Sequence, residues 1–157
     1  MSAGYRIQDE PLATRPRGFV IDPFWALLAV MMGGAAFGAL LFAVNAYFLR
    51  GPTWRREIEL ALTMLLGAGI LGFLLVQAES SGALAAGAVK YAFLLVVAWK
   101  LAITYWIYYL QQTGFALFEY FGGKVQNGLA VVFIGALLLR RVLINAVDHP
   151  VWQMMVS

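Results

Sequence analysis

One lysine, Lys100, interrupts "VVAWKLAITYWIYYL", an otherwise apolar run over residues 96–110. An ionisable group inside such a run is unfavourable by about 2.5–3.5 kcal/mol even on a lenient insertion scale, so it pairs with a counter-charge, lines a wet pathway or binds an ion. Thr104 follows one helical turn later, and Asn45 stands near the end of the first long apolar stretch. Lys100, Thr104 and Asn45 are therefore the candidate intramembrane polar site. Three accounts of Lys100 stay open: a shallow position with Asn45 or Thr104 as partner, an acid supplied by another subunit, or a wet pocket for an anionic species. The acids Asp22, Glu57, Glu59, Glu79, Glu119 and Asp148 all fall near expected helix ends, so the chain offers no obvious counter-ion.

Arg140 and Arg141 interrupt "ALLLRRVLINAV" in the same way. Their long side chains can reach outward from a helix, and a guanidinium binds phosphate or carboxylate in a two-pronged fashion. They are expected to contact lipid headgroups or a partner protein. Other chemistry is excluded by composition. With no cysteine there is no disulfide, thiolate nucleophile or cysteine metal site. His149, the single histidine, cannot form a bis-histidine haem site within one chain. "YFGGK" (120–124) lacks the earlier glycine and the following Ser/Thr of a phosphate-binding loop, and no HExxH or GxSxG occurs. No catalytic residue, metal ligand or cofactor is expected.

The elements that must position these residues follow from composition. Of 157 residues, 62% are hydrophobic and only 12% charged, and the mean hydropathy is +0.79. Soluble domains carry about 25% charged residues, and one of this size could not bury so much apolar surface. Lipid is the expected solvent. The net charge of +3 comes from arginines scattered at helix ends, which fits a membrane with basic flanks and argues against nucleic acid.

A spanning helix needs roughly 20 apolar residues. Four stretches qualify, at about 23–49, 57–77, 85–109 and 127–147. Asp22-Pro23 opens the first, and Arg50-Gly51-Pro52 closes it. "AESSG" (78–82) reads as a turn, and "QQTGFALFEYFGGKVQ" (111–126) as an interfacial segment. The expected fold is all-α: a four-helix transmembrane bundle over 22–147, with a polar tail over 1–21 and another tail over 148–157. Alternation for a β-barrel is absent.

Gly34 and Gly38 form a small-xxx-small pair in the first helix, suited to close helix packing either within the bundle or between copies of the chain. With both termini on one side, six basic residues (Arg6, Arg15, Arg17, Lys90, Arg140, Arg141) outnumber four (Arg50, Arg55, Arg56, Lys124), which favours cytoplasmic termini. "GGAAFGALLFAVNAYFLRGPTWRREIELAL" and "YFGGKVQNG" resemble small uncharacterised four-helix proteins of the bacterial inner membrane. That resemblance implies the fold and the membrane, and it carries no activity or functional residue. The expected role is a non-enzymatic accessory or scaffolding subunit of a membrane complex. The alternative is a homo-oligomeric channel or small transporter for an anionic species. Expected partners are the lipid bilayer and another membrane protein or a second copy.

Overall fold

The computed structural model of the chain describes residues 18–83 and 86–157. Six helices follow in order: α1 (Pro23–Gly33), α2 (Ala35–Leu49), α3 (Trp54–Ser80), α4 (Ala86–Tyr120), α5 (Gly128–Asn145) and α6 (Pro150–Val156). The protein is all-α. Among the described residues three helices, α3, α4 and α5, are long and apolar enough to cross a membrane, where the sequence pattern leads one to expect four.

The difference lies at Gly34. Its backbone adopts φ 97°, ψ 162°, a conformation that a residue with a Cβ rarely takes, and there the stretch 23–49 breaks into two helices. α2 folds back so closely on α1 that a Cβ on Gly38 would lie 2.8 Å from the backbone nitrogen of Val30. At 1.5 Å per residue α1 rises about 16 Å and α2 about 22 Å. Neither crosses a hydrocarbon core of about 30 Å. Both halves are equally apolar, so hydropathy alone cannot tell a hairpin from a span.

Local chemistry starts and ties the hairpin. The Asp22 carboxylate caps α1 by accepting from the Phe24 N–H at 2.8 Å, with Pro23 in the first turn. At the same open end of the hairpin, Asn45 binds both main-chain groups of Ile21. α3 and α4 then run antiparallel through facing stripes. On α3 the buried positions are Glu57, Ala61, Met64, Ala68 and Gly72; on α4 they include Val96, Lys100, Thr104, Ile107 and Gln111. Steps of three and four residues keep each stripe on one helix face. α5 starts with Gly128 against Trp25 and passes Phe37 at Gly135, so it runs away from the Asn45 end.

Three further expectations change. The segment 111–126 is not separate, because α4 continues unbroken to Tyr120 before Gly122, at φ 75°, turns the chain. Residues 148–157 are not a free tail. His149 Nδ1 accepts from the Val151 N–H, Pro150 occupies the first turn, and α6 lays Met154 and Met155 on α3 at Gly72 and Gly69. Of the expected tail over 1–21, residues 1–17 lie outside the described residues, whereas Val20 and Ile21 are fully buried. The Gln126 N–H donates to the Val20 carbonyl, fastening that strand of chain to the α4–α5 loop. Around the outside, Leu66, Leu94, Leu137 and Val142 are exposed, an oily surface of the kind lipid covers.

Candidate functional site

The hairpin tip and the C-terminal segment meet at Lys100. The side chain lies on the inner stripe of α4, with the residue 8% exposed. Its ammonium donates to the main-chain oxygen of Ser157 at 2.7 Å. The Ala35 N–H donates to the same oxygen at 3.3 Å. Ala35 is the first residue of α2, where N–H groups lack helical partners and the helix dipole is positive. An ammonium and a half-helix N-terminus thus converge on one acceptor. Glycine makes the approach possible, since a Cβ on Gly34 would lie 2.6 Å from the Val156 carbonyl oxygen.

The three residues of the expected polar site do not come together. Thr104, fully buried, donates to the Met64 sulfur at 3.1 Å. Asn45, also fully buried, faces Ile21. Lys100 reaches neither of them, and its partner lies outside the three accounts the sequence leaves open. The available signal was the tail itself: His-Pro at 149–150 is a cap and first-turn pair, followed by the apolar "VWQMMV". Gly34 and Gly38 are both occupied within the chain, one by the C-terminal segment and one by Val30. Arg141 is exposed beside a shallow groove that Met32 and Leu137 also line. Arg140 belongs to α5, and its side chain lies outside the described residues.

Two residues that sequence reasoning set aside form a second polar centre. Glu57 is 4% and Gln111 1% exposed. The Gln111 amide donates to the Phe42 carbonyl at 2.8 Å and to Glu57 Oε2 at 3.0 Å. Glu57 Oε1 accepts from the Thr53 hydroxyl at 2.6 Å. The spacing held the clue, because Lys100, Thr104, Ile107 and Gln111 share one helical stripe, and so do Glu57, Ala61 and Met64. Gln111 lies about 16 Å along α4 from Lys100 at helical rise, so the two centres are distinct.

These features define a class: an all-helical protein with three helices of membrane-crossing length, a broken-helix hairpin, and a lysine at its tip. Comparison with known proteins goes no further, since no family model, no curated protein and no solved structure matches the chain.

Proposed function

We propose that the chain is an integral protein of the bacterial inner membrane, working as a non-enzymatic accessory or scaffolding subunit of a membrane complex. In this reading α3, α4 and α5 cross the bilayer, while the α1–α2 hairpin and α6 enter it from opposite faces and meet near the middle. One observation carries the role: the buried polar side chains join separate segments of the chain to one another. Asn45 ties α2 to the start of α1, Gln111 ties α4 to α2 and α3, and Lys100 ties α4 to the C-terminal segment. Non-helical backbone at membrane depth is tolerated where it is buried in protein, and the Gly34 break meets that condition. α5 offers the docking face, with Ile134, Leu137 and Leu138 turned outward. Purification at native expression in mild detergent, with crosslinking, tests the role. Recovery of a monodisperse homomer without any other protein would count heavily against it.

We also infer an orientation. Arg50, Arg55, Arg56 and Lys124 sit at the same end as the start of the described chain, which Arg6, Arg15 and Arg17 precede in sequence. Lys90, Arg140 and Arg141 fall toward the opposite end. Seven basic residues against three favour a cytoplasmic N-terminal end by the positive-inside rule, with α6 entering from the other face. Reporter fusions at residue 18 and in the loop at 81–83 check this assignment.

A second reading, a homo-oligomeric channel or small transporter for an anionic species, is favoured by the convergence of Lys100 and the Ala35 N–H on one oxygen. Broken helices in transporters aim half-helix N-termini at anionic groups. Loss of an anion flux from proteoliposomes in Lys100→Leu, with the fold retained, supports this reading; an unchanged flux removes it.

A further inference from the structure

The α1–α2 hairpin and α5 run side by side, but the hairpin stops first. α5 passes Phe37, in the first turn of α2, at Gly135, and its residues 136–145 continue beyond that level. At helical rise they extend about 15 Å past the hairpin tip. α6 occupies one side of that space, where the Trp152 indole donates to the Leu143 carbonyl at 2.7 Å. On another side lies a groove of 310 Å³, walled by Met32 in the last turn of α1 and by Phe133, Ala136, Leu137 and Arg141 of α5.

This groove is charged at one end and apolar along its length. Phe133, Leu137 and Arg141 recur at four-residue steps, so they share one face of α5. Ala136 is small and leaves the notch between them and α1. Arg141 is one turn from the end of α5, and with α5 spanning the bilayer that is headgroup depth. Phe133 and Met32 then lie deeper. Arg141 belongs to the wall of the groove and is exposed, and no acid, other hydrogen-bond partner or aromatic ring among the described residues engages it. A cation at the rim of an apolar channel matches a phospholipid, with its phosphate outermost and its chain within.

We propose that an acidic phospholipid seats in this groove and fills bilayer space that the hairpin does not reach. Its phosphate pairs with the Arg141 guanidinium, which binds such a group in two-pronged fashion. One acyl chain runs past Leu137 and Ala136 to Phe133 and Met32. A headgroup ammonium would be repelled by Arg141 and would share the phosphate charge, so phosphatidylglycerol binds better than phosphatidylcholine. The proposal rests on the membrane reading above and not on the scaffolding role, since Ile134 and Leu138 lie outside the groove.

Full-length protein in detergent, titrated with phosphatidylglycerol, phosphatidylcholine of equal chain length and free glycerol 3-phosphate, tests it by native mass spectrometry. The expected result is retention of the glycerol lipid over the choline lipid. Arg141→Gln should weaken that retention about tenfold or more, as loss of a charge-assisted hydrogen bond does, and bring the two lipids level. Ala136→Phe, which fills the notch and keeps the charge, should weaken both. A thermal melt on each variant confirms folding, and where Ala136→Phe fails to fold, the exposed Arg141→Gln carries the comparison. Equal binding of the two lipids by the parent, or unchanged binding in folded Arg141→Gln, overturns the proposal. Equal binding of glycerol 3-phosphate overturns the lipid assignment, and so does capture of another protein, instead of lipid, by a photocrosslinking residue at position 137 in membranes. Extraction of the protein by alkaline carbonate tests the membrane reading separately: a chain that resists extraction and fails the lipid comparison removes this proposal alone.

Discussion

Asn45 holds both main-chain groups of Ile21, accepting from its N–H at 3.1 Å and donating to its carbonyl at 2.8 Å. The two residues are 24 apart in sequence, and Gly33 lies midway between them. One side chain thus fixes where the hairpin opens, while the Gly34 backbone fixes where it turns.

Replacing Asn45 with alanine leaves a buried N–H and a buried carbonyl unpartnered. At about 1–3 kcal/mol for each of the two orphaned groups, the variant should lose roughly 2–6 kcal/mol. Thermal unfolding in detergent measures this, and a melting temperature equal to that of the parent would refute the clamp.

Glycines at the helix contacts should not be equivalent. Gly34→Ala forces a Cβ into a left-handed backbone and to within 2.6 Å of the Val156 oxygen, so it should release α6 from the hairpin tip and cost more than about 1 kcal/mol. Gly69→Ala meets only the flexible Met155 sulfur, at 3.3 Å, and a helical alanine offsets that crowding by up to about 1 kcal/mol. Accessibility of a Ser157→Cys thiol to a maleimide reports α6 release. It should rise sharply in the first variant alone.

Lys100→Met keeps the length and apolar packing of the side chain but removes the donor to Ser157. The same thiol assay should show faster labelling, with helix content by circular dichroism unchanged. Equal labelling in parent and variant would mean that Ala35 and the methionine contacts of α6 hold the segment unaided.

Thr104→Val should be nearly silent. Its hydroxyl donates to the Met64 sulfur, a weak acceptor, and valine has a closely similar shape. A loss well above about 1 kcal/mol, read from the unfolding midpoint, would show that this contact contributes more than its chemistry allows.

The helical class and most helix limits could be read from the sequence because composition and turn residues act locally. Glu57 in the first turn of a helix that opens at Trp54, Ser80 and Ser81 near a stop, and Asn127 before the last long helix are matters of a few neighbouring residues. The break at Gly34 is different. "MMGGAAFG" is apolar throughout, and the Ala35 N–H that follows the break finds its acceptor only at the far end of the sequence. Lys100 was conspicuous as a lone charge, yet its partner is a main-chain oxygen, which no residue type announces. Gln111 escaped notice because "QQTG" reads as loop chemistry, whereas its place on the Lys100 stripe makes it interior.

The Ala35–Ser157 contact also orders events during biogenesis. The α1–α2 hairpin closes over a short loop, so it can form as soon as its own residues have left the ribosome. Its tip gains its acceptor only when α6 arrives, after three long helices have been laid down between them. Until then the nascent chain carries a polar vacancy in its interior, with Lys100 beside it. Docking of α6 is thus the step that closes the hairpin tip and joins the last described helix to the first two.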